Sequence, residues 1–579
     1  MRMQVLSDRL RTSPVTGAVI PADTIEGGIG RSLESEFSRR HVIRVPRGGV
    51  ASFQIVVTPE KPGDGAEIAL SAGPWRASAA ALDEAAVFYQ WPCQISDTEW
   101  TFEGLVPADA YRAAGSPARQ CPLGDRPHHA FWIDVPVTGY AKPGMYQGHV
   151  TVASVEPVTV EIEVLPLDLP LSPRITVDLN SYASRIENNH PGLSEERLIE
   201  CETSYYREAH DNRAVLHYLP YGHAGELARG YAPPLAGRGR SLRVTDWTGY
   251  DRRFGPLFDG RAMAGSPGGE RPIPHWYLPV NFDWPADYAY YGTRGYDHEF
   301  AQILAEFRRH IHEKGWTSTD FEVFFNHKKR YRYYPYDGDE RKQEADRGVF
   351  QHYRSLIDRS ASIAGAAGCQ ARVLYRTDIS WSFAHDAGDD QIGPLYDLWV
   401  ANFNNFSWTR AGVEAILARG QKAWWYGGGS GPGAHIMDHD RLAVLCWRRG
   451  GDGFMPQWLA MAGDASLDRA DSLSMLYPGR RFGLERALGS IRLRRVRSGT
   501  ETTDLLEMLG ADGRAIVDDL AHVTDEDWWT PTPAWALCPP ETMTNEMYEQ
   551  QRVGNPMADC DPHTPAAIRE RAIDALLGR

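Results

Sequence analysis

The sequence predicts a multidomain α/β plus all-β protein: an N-terminal β-sandwich over residues 1–170, a (β/α)8 TIM barrel over 171–510 and a C-terminal extension over 511–579. Three observations predict it. The first part is rich in strand signals and poor in helical periods. A Pro-rich segment, Leu165 to Pro173, then marks a change of rhythm. After it, short apolar runs alternate with helical patterns about eight times, as βα units require.

In the sandwich, Ser52–Val57, Ala130–Val135 and His149–Val152 read as strands, and Val158–Val164 alternates apolar and polar residues as a half-buried strand should. Pro143-Gly144-Met145-Tyr146-Gln147-Gly148 is a turn leading into a strand. Leu165–Pro173 reads as a stiff linker. The barrel strands are expected at Ile175–Asn180, Val215–Leu219, Trp276–Val280, Phe321–Phe325, Ala371–Tyr375, Leu398–Asn402, Lys422–Tyr426 and Gly453–Trp458. Between them lie helical patterns from Ser194, a plausible N-cap, and over His298–Lys314, Arg347–Ile363, Ala411–Arg419 and Asp440–Arg449. Residues 222–272 are Gly- and Arg-rich and read as an insertion over the barrel mouth. A last amphipathic helix, about Leu484–Leu509, closes the barrel.

A formal net charge of −15 speaks against a nucleic-acid partner, and no apolar run reaches membrane-spanning length. Seven Cys without metal-binding spacing predict reduced thiols and no metal, and no other cofactor is indicated. The first residues lack the apolar core of a signal peptide, so a cytoplasmic location is expected. The 18 Trp and 26 Tyr lean towards a carbohydrate partner, although large β-rich cores also use aromatics. Homo-oligomerisation is left open.

Active sites of such barrels sit at the C-terminal ends of the strands. Polar residues at those ends are Asp178, Asn180 and Tyr182; Asn281 and Asp283; Asn326 and His327; Arg376, Asp378 and Trp381; Asn402 and Asn404; Trp425 and Tyr426; Gln457 and Trp458. Asp378 and Asp283 form the preferred carboxylate pair, since two carboxylates flank the bond that most glycosidases break. His327 is the third catalytic candidate, an imidazole able to move a proton near neutrality. Each has a plainer reading as a helix cap or loop anchor. Lys328, Lys329, Arg330 and Arg332 read either as a solvated run or as a clamp on an anionic sugar. Asp337, Asp339 and Glu340, in the loop beyond, could supply a displaced acid or a calcium site. Gly427–Gly431 lacks the Lys-Ser/Thr of a phosphate loop and reads as a flexible loop beside the substrate.

Several segments carry a family resemblance. Gly489–Glu501 contains Ser-Ile-Arg, a basic run and Gly-x-Glu. Gly451-Asp452-Gly453-Phe454, Asp397-Leu398-Trp399-Val400, Phe131–Val135 and the Pro143–Gly148 turn occur around it in the corresponding order. Together these resemble glycoside hydrolase family 123. The resemblance implies a sandwich feeding a barrel, and a β-N-acetylgalactosaminidase using an Asp-Glu pair at the end of the fourth strand. That pair aligns with Asn326 and His327, so neither role carries over. The expectation is a glycosidase with a non-standard acid/base set, acting on an unusual or anionic oligosaccharide. Its rivals are an eliminase on uronate glycans, with His327 as base, and an inactive glycan-binding barrel. In each case Asn180, Tyr182, Asn326, Lys328, Arg330, Arg376, Trp381, Asn402, Trp425, Tyr426, Gln457 and Trp458 are the expected substrate contacts.

Overall fold

The computed structural model describes all residues except 26, 79, 154, 182–185, 223–225, 326–339, 342–343, 366–368, 381, 462, 543 and 545–555. Eight parallel strands form one sheet: β1 (Thr176–Ser181), β2 (Val215–Tyr218), β3 (His275–Tyr277), β4 (Asp320–Val323), β5 (Val373–Ile379), β6 (Leu398–Asn402), β7 (Lys422–Tyr426) and β8 (Gly453–Met455). Their order is β2-β1-β8-β7-β6-β5-β4-β3, the circuit of a nearly closed TIM barrel, with β2 and β3 packed together where the circuit ends. Successive strand residues face opposite sides. Leu398, Val400, Trp424 and Met455 therefore cluster inside the barrel. Trp276, Phe321, Tyr375, Trp399, Trp425 and Phe454 join the belt between strands and helices.

The surrounding helices include α1 (Glu195–Asp211), α2 (Thr248–Phe258), α3 (Arg294–Glu313), α4 (Arg347–Ala364), α5 (Arg410–Ala418), α6 (Asp438–Arg448), α7 (Ile491–Leu509) and α8 (Thr564–Leu576). Ser194 does cap α1: its Oγ accepts the Arg197 N–H at 3.4 Å. The expected insertion over 222–272 is in part the helix of the second βα unit. On α2, Phe254 and Phe258 pack on the outward Trp276 with ring centroids 4.7 and 5.2 Å apart. Gly249, Gly255 and Pro256 disguise the apolar face of this helix as loop sequence.

The sandwich differs from expectation in its ends. One sheet runs through Arg2–Ser7, Val50–Thr58, His129–Pro136, Ala86–Gln94 and Trp100–Pro107, and is completed by Ala487–Ser490 and Tyr477–Pro478 from beyond the barrel. The facing sheet is built on Val42–Arg47, Val158–Asp168 and Gly144–Val152. The Pro-rich segment is not a free linker. Leu165 and Leu169 are buried, and Arg213 donates to the Pro170 carbonyl at 2.9 Å.

The expected amphipathic closing helix is shorter, Ile491–Leu509, and its charged residues are mostly buried rather than turned to water. Ser490 caps it, accepting the Leu493 N–H at 3.1 Å, and 15 of the 19 residues of α7 are buried. Its arginines point into the seam between sandwich and barrel. Arg492 donates to Glu103 at 2.7 Å and Arg494 to Glu208 at 2.7 Å. Arg495 forks onto Asp440 at 2.7 and 2.8 Å and reaches Asp8 at 2.5 Å. Arg494 and Arg497 both donate to Asp134, at 2.9 and 2.8 Å. Burial alone would raise the Asp134 carboxyl, but the two guanidiniums hold it well below the usual carboxylate range. Gly499 allows the close approach of α7 to α6, because a Cβ there would lie 2.9 Å from the Asp440 Cα.

Asp134→Ala leaves two buried guanidiniums without their shared anion, and should lower unfolding free energy by roughly 3–5 kcal/mol in a urea titration. A second expectation concerns acid. Burial pushes His435 and His439 down to about 3, below the ~6.5 of a free imidazole. The unfolded chain then binds these protons first. Stability should hold above about pH 7 and fall by about 1.4 kcal/mol per pH unit per imidazole as pH drops below ~6. His439→Gln should flatten that slope in pH-dependent melts by about one imidazole's share.

Candidate active site

A layer of charged side chains fills the barrel where such folds ordinarily stack Val, Ile and Leu. The strand alternation dictates it, since Asp178, His217, His275, Glu322, Arg376 and Asp378 all fall on inward positions of β1 to β5. Arg376 is at its centre. Its Nε donates to Asp378 at 2.7 Å, and its Nη1 reaches Glu322 at 3.1 Å and Asp178 at 3.2 Å. His217 Nδ1 pairs with Asp178 at 2.9 Å, and His275 Nδ1 with Glu322 at 2.7 Å. Burial would raise the Glu322 carboxyl, but His217, Arg376 and His275 hold it well below the usual range. The carboxylates around Arg376, Asp378 foremost, offset its burial and keep its pKa well above the ordinary value.

Aromatic rings roof this layer. Tyr277 stacks on His217 at 3.6 Å between centroids and on Phe324 at 5.5 Å. The Arg376 guanidinium lies 5.0 Å from the Tyr277 ring centroid. The Tyr221 hydroxyl donates to the Phe324 carbonyl, tying the β2 and β4 ends together. Asp378, 5% exposed, is the outermost charged member on β5. Two residues further, the Ser380 N–H donates to Glu340 Oε2 at 2.6 Å, and Ser380 Oγ lies 2.5 Å from the Tyr426 hydroxyl. Glu340 reaches the β5 end because its neighbour Arg341 is buried in an ion pair with Asp386, and also donates to His385 at 2.8 Å.

No family model and no curated protein matches the sequence. Among solved structures, a family 123 glycoside hydrolase from Clostridium perfringens, studied for glycolipid glycan hydrolysis, superposes with a TM-score of 0.59 at 12% identity. The match covers 100% of this chain and 98% of that one. The fold is that of a family 123 glycoside hydrolase. A Bacteroides ovatus family 5 xyloglucanase, bound to a heptasaccharide, matches with a TM-score of 0.30 at 9% identity, over 80% of this chain and 98% of its own. A Parabacteroides merdae β-glucuronidase follows with 0.27 at 9% identity, over 79% and 51%. At those scores no common fold is established.

Within this family 123 fold, the predicted residues separate by strand face. Asp378, Arg376 and Asn180 point inward, but Arg376 and Asn180 are fully buried, and Asn180 accepts the Ser181 N–H at 2.9 Å. Arg376 is therefore not a substrate contact in this arrangement. Tyr426 lies at the rim beside Ser380. Trp425, its neighbour, faces the helices and packs on Phe403, Phe406 and Phe454. Adjacent residues of one strand cannot both face the mouth. Asn402 caps a short helix, accepting the Asn404 N–H at 3.0 Å. Gln457 donates to the Gly429 carbonyl, fixing the Gly-rich loop, and Trp458 is 44% exposed. Asp283 is half-buried in the turn after β3, its N–H donating to Asn281 at 2.8 Å. Tyr182, Asn326, His327, Lys328, Arg330 and Trp381, with Lys329, Arg332, Asp337 and Asp339, lie outside the described residues.

Sequence reasoning missed His217, His275, Glu322 and Ser380. The signal for Glu322 is a lone carboxylate inside the apolar run Phe321–Phe325. Trp425→Ala should cost roughly 3–5 kcal/mol of stability, the penalty for emptying a large core site. Trp458→Ala should leave the melting temperature within about a degree or two, since exposed substitutions are nearly neutral. Differential scanning calorimetry on both variants checks the assignment of faces.

Proposed function

We propose that this chain is a glycoside hydrolase whose reacting carboxylates are Asp378 and Glu340, gathered at the end of β5 rather than β4. The observation that carries this reading is the hydrogen bond from Ser380 to Glu340, which brings a carboxylate of the post-β4 loop two residues from Asp378. The resemblance assigns the acidic pair to the positions of Asn326 and His327, and Glu340 supplies from fourteen residues along the chain what an amide and an imidazole do not.

The two carboxylates suit different roles. Asp378 takes a guanidinium fork from Arg376 at 2.7 and 3.3 Å. Its lone pairs are committed to a cation, which suits a group that meets positive charge developing on the substrate rather than one that gives up a proton. Glu340 is anchored through one oxygen to a backbone N–H at the end of β5. It is the proton donor to the departing oxygen in this reading. Tyr426 and Ser380 offer hydroxyls beside it, and Trp458 offers an exposed ring face for a sugar. Asp283 and His327 are further candidates for contacts at the mouth, and the basic run after His327 favours an oligosaccharide bearing a carboxylate or sulfate.

A panel of neutral and anionic aryl glycosides tests this. Asp378→Asn should lower kcat by about 10³-fold or more on every substrate turned over by the native protein. Glu340→Gln should lose about 10²–10⁴-fold with poor leaving groups, yet retain most activity on dinitrophenyl glycosides, which need no acid. Native-like activity in both variants would remove the carboxylate pair, and failure of the native protein on the whole panel would remove the hydrolase reading.

A further inference from the structure

We propose that Arg376 is a positioning residue for Asp378, and that Glu322, braced by His275, is the residue that sets Arg376. This rests on the reading of Asp378 as a reacting group and deepens it. Arg376 cannot touch a sugar, because its side chain is fully buried beneath Tyr277 and Phe324.

The arrangement is hard to explain as a source of stability. Replacing a buried ion cluster by packed apolar residues is often neutral or stabilising. Interiors of this barrel type are ordinarily apolar, and this barrel does use Leu398, Val400 and Met455 on its β6 and β8 side. Lys422 at the start of β7 pairs with Asp320 at 2.6 Å, whereas the charged residues that hydrogen-bond Arg376 lie on β1, β2, β4 and β5, the side that carries Asp378. Their hydrogen bonds are also directional. Arg376 reaches Asp378 through Nε and Nη2, while Nη1 is held from below by Glu322 and Asp178. Glu322 uses its other oxygen to hold His275 at 2.7 Å. The guanidinium therefore has one orientation, and its upper edge presents two donors to one carboxylate. A lysine could carry the charge but not the fork.

Three variants and one double variant test this. Arg376→Lys and Glu322→Gln keep volume close to native, and thermal melts confirm folding. Both should lower kcat by about 10–10³-fold with KM within about threefold, because an interaction used in the transition state is lost and ground-state binding is not. Asp378→Asn should lower kcat more. In the Asp378→Asn background, Arg376→Lys should then change residual turnover by less than about twofold, since its effect passes through a carboxylate no longer present. Additive losses in the double variant would assign Arg376 a general structural role and overturn the proposal. So would native kcat in Arg376→Lys alongside a dead Asp378→Asn. An active Asp378→Asn would instead overturn the underlying reading of Asp378, and with it this one.

Discussion

The fold depends on a single buried carboxylate shared between two arginines. Asp134 lies on a sandwich strand, and Arg494 and Arg497 lie on α7, which also packs against the barrel through Leu493 and Val496. Removing three charges from water is costly, and the cost is offset only where all three stay paired. The sandwich and barrel therefore have one mutual position that satisfies Asp134, and the flanking pairs Arg492–Glu103 and Arg495–Asp440 fit the same register. The barrel strands, and whatever their ends do, are held in a frame that the sandwich helps to build.

A second constraint is the period of two along each strand. It separates Trp424 and Tyr426 from Trp425, and gathers Arg376 and Asp378 on one face. A sequence reader who applies it strand by strand can tell which polar residues enter the barrel. Most of the barrel was legible in this way, because each strand is a short β-branched or aromatic run bounded by helical periods. β1, β6 and β7 fall within a residue of where the apolar runs lie. The sandwich was legible through the alternation of Val158–Val164 and the apolar runs around Phe53 and Trp132.

What was not legible has physical causes. The charge pattern of Ile491–Leu509 looks amphipathic only if arginine is assumed to face water, and here four arginines face carboxylates supplied by distant segments. Asp8, Glu103 and Asp134 lie hundreds of residues earlier, and no local periodicity announces them. The same holds for the site. Glu340 could be named as one of three loop acids able to supply a displaced acid, but its place could not be until Arg341 meets Asp386, and Glu322 reads as an interruption until His275 and Arg376 close on it. Strand-end position selected Asp378, Tyr426 and Arg376 alike, and cannot separate a side chain near the rim from one, like Arg376, sealed beneath aromatic rings.

The strand Trp100–Pro107 pairs on one side with Ala86–Gln94 and on the other with Ala487–Ser490. During synthesis, that second neighbour leaves the ribosome only after some 380 intervening residues have been made. Until then the sandwich carries an open edge of unpaired N–H and C=O groups, the kind of surface that recruits strands from other chains. Glu103, on that strand, also waits buried-side-out for Arg492. The N-terminal sheet can be seeded early but closed only last, so the stage at which nascent chains are most prone to associate spans the translation of the entire barrel.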